Sequence, residues 1–409
     1  MYLINYQYFK NKETLILILL ISLSVLTRIP AILIFGDISL ENEWKILVDN
    51  LILHGQLSFR SIDGFLLPNL YMPPLYAYYL YLFSFLNFNE QNYILIILFS
   101  QMILATASTI LFYKINKFFF TSKISFYSSI LFSLFPLHVY ACTQISSITL
   151  QVFLSILFFY YFFLINKKKN IFSIFIFSIV SGLLLLLRGE FIVIILLSLI
   201  YLIFFFKIPI KKILLILLII LISISPYLTR NIIIFDAITI TKTFGYNLWK
   251  GNNPNSNVEG SEIVESHLKS KIENIPKDKF YQINLDKVFL NQAIKNILME
   301  PMTYIVLYVK KILSFIFIDI NSSQPNYYNP LHYIPVLLIG LTSIIGIFIS
   351  DKKSLKLNYL IMIFLIYILL FSCFFILPRY KLAILPLQII FTNILFQYIS
   401  NKFFTNHGK

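Results

Sequence analysis

Charged residues are scarce in this 409-residue chain: Asp, Glu, Lys and Arg together make up 12%, against 58% hydrophobic residues. A water-soluble domain carries roughly 25% charge, so a soluble globular protein is excluded. Cysteine is nearly absent. Cys142 and Cys373 both fall in apolar segments, which leaves no disulfide or zinc framework to organise the fold. The histidines, His54, His138, His267, His332 and His407, are scattered, and no His/Asp cluster has ligand spacing. They read as incidental, and a divalent metal is neither required nor excluded. Internal repeats, transmembrane heptads and low-complexity tails are also missing. Positive charge is in excess, at 33 Lys and Arg against 18 Asp and Glu, a net +15. Most of the lysines sit in short clusters between apolar runs, where they orient a chain in a bilayer, so no nucleic-acid partner is implied.

A helix needs about 20 apolar residues to cross the hydrocarbon core. Runs of suitable length occupy 14–36, 93–113, 124–142, 146–165, 171–187, 190–206, 212–229, 331–350, 357–377 and 380–400. The first is too long for a cleaved signal and no small-residue cleavage site follows it, so it reads as a retained span. Leu75–Leu86 is short, and Tyr304–Ile320 carries Lys310 and Lys311 in its middle. The lysine clusters are Lys10 and Lys12, Lys114 to Lys123, Lys167–Lys169, Lys207 to Lys212, Lys352 to Lys356, and Lys402. With all of them cytoplasmic, the ten clear runs alternate correctly and both termini lie inside.

The expectation is an all-α polytopic protein of the cell (inner) membrane, a single membrane-embedded domain over 1–409 with about ten transmembrane helices. Segments 75–87 and much of 285–320 are expected as interfacial or re-entrant helices; twelve spans follow if both cross. The polar stretches 37–92 and 230–303 become two extracytoplasmic loops. The turns at Arg188-Gly189-Glu190 and Pro378-Arg379-Tyr380 face the same side.

Four features carry chemistry. In the first loop, Ser39 is a plausible N-cap for a helix with an apolar stripe at Trp44, Leu47, Val48 and Leu51 and a stop at Gly55. Its first turn holds Glu41 and Glu43. The helix dipole favours carboxylates there, and the same groups at a membrane surface suit a general base. Pro73 and Pro74 start a new helix ahead of Tyr76. A span ends at Pro226, followed by Arg230 and Asn231, and then by Gly245, Asn247, Gly251 and Pro254. Arg379, Tyr380 and Lys381 open the last span, as Arg188 closes an earlier one. An arginine suits bidentate phosphate binding or simple interfacial anchoring, and three on one face compose a cationic site for a phosphate or diphosphate.

In this order the elements resemble the polyprenyl-phosphate-dependent glycosyltransferases of the C-type fold, the family that includes protein O-mannosyltransferases and lipid A aminoarabinose transferases. Ser225–Pro254 is similar to the family's Pro-Trp-x-x-Arg-Asn followed by Gly-x-Asn-Leu-x-x-Gly-Asn, with Tyr227 in place of Trp. Arg379 to Pro386 is similar to Arg-Tyr-Arg-x-Pro-x-x-Pro. The resemblance implies an extracytoplasmic active site with an acidic residue of the first loop beside the donor phosphate. The family often has Asp fifteen positions before the glycine matched by Gly55, where this chain has Leu40. The acidic role passes to Glu41 or Glu43, and the register between them stays open. Many relatives carry an acid at the outer start of the fourth span, where Ser146 to Gln151 hold none.

The resemblance further implies transfer of a sugar, with inversion, from a polyprenyl-phosphate to a lipid, glycan or protein acceptor. Arg230 and Arg379 would hold the phosphate, backed by Arg188 and Lys381, while Pro73, Pro74, Tyr76, Asn231, Asn247 and Tyr380 shape the site or its groove. A lipid-linked sugar flippase is the rival from another class. It calls for ionisable residues near the bilayer midplane, and the spans are nearly free of them. A polysaccharide polymerase or ligase would not need the acidic first loop.

Overall fold

The computed structural model describes residues 2–62, 65–86, 88–168, 170–322 and 330–404. Lys169 and His407 lie outside them. The chain opens with a 34-residue helix, α1 (Tyr2–Phe35), followed by α2 (Asn42–His54), strands β1 (Ser58–Ile62) and β2 (Phe65–Pro68), and α3 (Pro74–Ser84). Then come α4 (Glu90–Asn116), α5 (Ser122–Leu134), α6 (Pro136–Ala141), α7 (Ile148–Lys168), α8 (Ile171–Leu187), α9 (Phe191–Phe204) and α10 (Ile210–Phe235). A second polar layer follows with α11 (Phe244–Gly251), α12 (Ser266–Glu273) and α13 (Tyr281–Met299). The chain closes with α14 (Pro301–Ile316), α15 (Pro330–Ile349), α16 (Leu355–Ser372), a 3-10 turn (Pro378–Ala383) and α17 (Leu385–Phe404).

Six helices among the described residues are long and apolar enough to cross a bilayer: 12–35 of α1, then α4, α7, α10, α15 and α16. The protein is integral to a membrane, because in hydrocarbon only a helix or a closed barrel satisfies its own backbone. Helix α7 is the hub. Its apolar window is 72% buried against 22% in α1 and 28% in α10, and it packs on α4, α8 and the 3-10 turn. The peripheral helices keep Leu26, Leu33, Leu218 and Ile222 exposed, as lipid-facing surfaces do.

The other four apolar runs depart from single long spans. The run 124–142 breaks at Phe135, whose extended backbone (φ −61°, ψ 122°) is what a following proline demands, and Pro136 restarts the chain as α6. Helices α8 and α9, of 17 and 14 residues, rise about 26 and 21 Å, short of a core of about 30 Å. The last run splits into the 3-10 turn and α17.

Pro226 does not end its span. Helix α10 continues to Phe235 because Ser225 Oγ donates to the Ile222 carbonyl at 2.9 Å, and Ile222 is the residue whose helical N–H partner the proline removes. The bundle also holds a buried cation that the apolar pattern hid. Arg28 of α1 is fully buried, donating to Ser24 Oγ (2.9 Å), Ser133 Oγ (3.4 Å) and His138 Nδ1 (2.9 Å). His138 is therefore not incidental: with Arg28 it joins α1, α5 and α6 near the end of the bundle where α1 turns into the first loop.

In that loop α2 starts at Asn42, not after Ser39. Glu41 occupies the N-cap, and Ser39 Oγ donates instead to Glu41 Oε1 at 2.8 Å. Gly55 stops the helix at φ 65°, a left-handed turn that glycine adopts without strain. Leu47, Val48 and Leu51 are buried, and the Trp44 ring meets Tyr76 edge-on at 4.8 Å. The β1–β2 hairpin is an addition to the all-helical expectation. It pairs antiparallel with a register shift between Ser58 and Arg60.

The second polar layer has its own small core around Trp249, Leu268, Leu285 and Phe289. It is fastened to the segment ahead of the 3-10 turn. Asn252 Nδ2 donates to the Cys373 carbonyl at 2.9 Å, and Gly251 lies so close to Phe374 that a Cβ would collide with its carbonyl. This fastening sets Lys250 beside Phe375 and brings residues 377–380 to the same wall.

Candidate active site

A cavity of about 1080 Å³ opens where the end of α1, the first loop, residues 144–148, residues 187–190, α11 and residues 377–380 converge. Its acidic side comes from the first loop: Asp37, Glu41 and Glu43. Asp37 is the most firmly held. Its backbone N–H donates to the Thr143 carbonyl at 3.0 Å, and its Oδ2 accepts from the Ile145 N–H at 2.6 Å. Burial pushes its carboxyl above the usual aspartate range, the Ile145 N–H opposes that shift, and nearby Glu41 adds to it.

Four cations line the same cavity, and their pairing divides them. Arg188 Nη1 lies 3.2 Å from Glu190, and Lys250 Nζ 2.5 Å from Glu262, whose carboxyl is held down chiefly by that hydrogen bond. Arg60 and Arg379 have no carboxylate within ion-pair distance among the described residues. Aromatic rings hold them instead. The Arg60 guanidinium lies 5.8 Å from the ring centres of Phe59 and Tyr71 and 5.7 Å from Tyr281. Tyr380 stands between Arg188 (5.1 Å) and Arg379 (6.0 Å). Cation–π contact fixes a guanidinium without neutralising it, so these two arginines keep their charge for an anion.

The hairpin's register shift matters here. In a regular strand consecutive side chains point to opposite faces, yet Phe59 and Arg60 both line the cavity. The irregularity between Ser58 and Arg60 re-aims them.

Of the residues singled out from sequence, Glu41, Glu43, Arg188, Arg379, Pro73, Tyr76, Asn247 and Tyr380 line this cavity. Arg230, Asn231, Pro74 and Lys381 do not. Arg230 donates to the Asn69 carbonyl (2.8 Å) and the Leu57 carbonyl (3.4 Å), tying the hairpin to α10. Asn231 is buried and donates to the Thr239 carbonyl at 2.6 Å. Pro74 is the first residue of α3. Lys381 is buried against the end of α14, donating to the carbonyls of Ser314, Phe315 and Phe317. Ser314 and Phe315 lie in the last turn of α14, whose carbonyls have no partner within the helix, and Phe317 follows directly, so an ammonium there completes the helix end.

Asp37, Arg60, Lys250 and Glu262 are the lining charges that sequence reasoning missed. Asp37 had a signal: it is the first acid after the first span, two residues past its end. Arg60 had none, because only the hairpin carries it to the site. Among the described residues no group of three His, Cys, Asp or Glu side chains is placed to hold a metal ion.

Residues 72–229 match the family model described as dolichyl-phosphate-mannose-protein mannosyltransferase. No curated protein matches the chain. Among solved structures it is similar to the oligosaccharyltransferase of Archaeoglobus fulgidus in three forms. The apo form gives 12% identity over 96% of this chain and 51% of that one, with a TM-score of 0.55. The complex with zinc and sulfate gives 13% identity over 95% and 49%, at 0.56. The form tethered by a disulfide to an acceptor peptide containing the NVT sequon gives 11% identity over 95% and 49%, also at 0.56. The chain thus spans about half the length of these enzymes and shares their fold. With the matched segment, the resemblance read from the sequence to membrane glycosyltransferases is upheld.

Proposed function

We propose that the protein transfers a sugar from a polyprenyl-phosphate donor to an acceptor hydroxyl or amine on the extracytoplasmic side of the cell membrane. The observation that carries this is the division of charge in the cavity. First-loop carboxylates and the cations Arg60 and Arg379, none of them in an ion pair among the described residues, line one cavity beside an apolar bundle.

The acceptor's oxygen or nitrogen attacks the anomeric carbon as the bond from that carbon to the phosphate oxygen breaks. The electron pair leaves with the phosphate, the acceptor's proton passes to a carboxylate, and a single displacement inverts the carbon. Asp37 is the best-placed base. It is half-buried, fixed by the Ile145 N–H, and raised towards the range where a carboxylate accepts a proton effectively. Glu41 and Glu43, less confined, then orient the acceptor. The departing phosphate gains negative charge, so Arg379 and Arg60 stabilise the transition state more than the ground state. Arg188, tied to Glu190, positions Tyr380 and with it Arg379. The acceptor class remains glycolipid, surface polysaccharide or protein.

The test is transfer from radiolabelled polyprenyl-phosphate sugars to membrane lipid and peptide acceptors, using purified full-length protein. Label transferred by wild type and lost in Asp37→Asn, with Glu41→Gln and Glu43→Gln retaining part of it, is the expected result. If no donor gives a covalent product while proteoliposomes translocate a lipid-linked sugar, the transferase reading gives way to a flippase. Accessibility labelling that put position 41 in the cytoplasm would overturn the sidedness.

A further inference from the structure

At the other end of the molecule lies a second cavity, of about 710 Å³. Three helices connect the two. Helix α7 runs from Ile148 at the first cavity to Asn166 at the second. Helix α9 begins next to Glu190 and ends next to Phe205, and α16 runs back from Leu355 and Lys356 towards Phe375. The 21 residues of α7 rise about 31 Å, so the two cavities sit at opposite faces of the bundle.

The second cavity is built from rings and lysines. Phe118 forms part of its wall, and two ammonium groups share that ring: Lys356 Nζ at 5.4 Å from the centroid and Lys167 Nζ at 5.8 Å. Lys207 lines it too, at φ 51°, a left-handed conformation that costs a side-chain-bearing residue energy. Among the described residues none of Lys167, Lys207 and Lys356 has a carboxylate within ion-pair distance. The acid on the wall, Asp351, is exposed and accepts from the backbone N–H of Lys353. Neighbouring Lys352 is already engaged, donating to the Ile347 carbonyl at 3.0 Å. Like charges gathered over one ring repel unless an anion joins them. On its flank Phe204 and Phe205 are 70% and 50% exposed, continuing the apolar outer surface of α9 past the opening.

We propose that this cavity is a phosphate-binding site, separate from the carboxylate-lined one, with Lys207 and Lys356 as ligands and Lys167 as an auxiliary charge. The phosphate group is the shared chemistry of two sources, an anionic lipid headgroup whose tail would follow Phe205 and Phe204, and free phosphate. The site does not depend on the transferase reading, because it holds no acid placed as a base and lies at the far end of α7.

The test uses purified full-length protein in detergent, with dioleoyl phosphatidic acid as the lipid probe, dioleoyl phosphatidylcholine as its zwitterionic counterpart, and inorganic phosphate. Native mass spectrometry counts the retained lipid, and calorimetry follows phosphate. Wild type is expected to retain one phosphatidic acid in preference to phosphatidylcholine. The pair Lys207→Gln with Lys356→Gln should weaken that binding about tenfold, since two charge-assisted contacts are lost. The pair Lys352→Gln with Lys353→Gln removes the same net charge beside the cavity and should leave binding unchanged. If inorganic phosphate displaces the lipid, the site recognises the phosphate group itself; if the lipid resists, headgroup and tail are held together. Equal weakening by both lysine pairs would reduce the effect to diffuse surface charge and overturn the site. So would absence of both lipid retention and phosphate binding in wild type whose thermal unfolding is cooperative.

Discussion

Both cavities are lined by cations, mostly arginines at the loop end and lysines at the other, and they differ in what faces those cations. At the loop end, Arg188 and Lys250 are matched by Glu190 and Glu262, while Arg60 and Arg379 share the space with Asp37, Glu41 and Glu43. At the other end Lys356 lies over the Phe118 ring and Lys207 lines the same wall, with the exposed Asp351 beside them. A site that only binds an anion needs unpaired positive charge. A site that transfers a group also needs a base, and needs it close to the cations without being quenched by them. On the proposed reading the loop-end cavity meets both needs, with some of its cations paired off and the rest held on aromatic faces.

The largest expected effect comes from removing the base. Asp37→Asn should lower the transfer rate by about 10²–10⁴-fold, measured with a saturating donor. Because the proposed base Asp37 would act ionised and burial raises its pKa, the wild-type rate should fall with decreasing pH through a value above the ordinary aspartate figure of about 3.9. The sign for stability is opposite. A carboxyl whose folded pKa is raised favours folding when protonated and costs stability once pH rises past that value. Asp37→Asn should therefore leave the unfolding midpoint at pH 7 equal or higher while transfer falls by that factor. A variant that lost activity and stability together would make Asp37 a structural residue.

Next in size is the contrast between two arginines that look alike in sequence. Arg379→Ala should cut kcat/KM by about 10²-fold or more by withdrawing charge from the leaving phosphate. Arg230→Ala should act on stability, by about 1–3 kcal/mol, because it removes the charged donor that ties the Asn69 and Leu57 carbonyls at the base of the hairpin to α10. Reversed outcomes in thermal unfolding and transfer kinetics would exchange their roles. Gly251→Ala tests how the second polar layer is fastened. The added methyl meets the Phe374 carbonyl, and a cost of about 1–3 kcal/mol is expected, with weaker donor binding as Lys250 and residues 377–380 move apart. The smallest effect is Ser225→Ala, about 1 kcal/mol, from leaving the Ile222 carbonyl of α10 without a donor. Denaturation of detergent-solubilised protein reads both.

Legibility followed the range of the interactions. Gly55 and the stripe Leu47, Val48 and Leu51 were readable because a left-handed stop and a helical period are local. Ser39 was misjudged as a cap since Glu41 competes for the same role two residues on. Glu41, Glu43, Arg188 and Arg379, which the topology put on one face, line one cavity in the structure. Arg230 and Lys381 were indistinguishable from them on paper. Whether a cation meets solvent or a neighbouring helix's carbonyls depends on packing partners 64 to 173 residues away in the chain.

The sequence by itself determined that this protein lives in a bilayer, that its helices are apolar on most faces, and which end of the bundle gathers its acids. Those properties follow from composition and from the length an apolar helix needs to cross hydrocarbon. Only the tertiary structure decided which charges are spent on the scaffold and which stay free for chemistry. An ion's pairing depends on distances of a few ångströms between segments far apart in sequence, and the hairpin shift at Arg60, the carbonyl cluster around Lys381 and the Ile145 N–H on Asp37 exist only once those segments have packed.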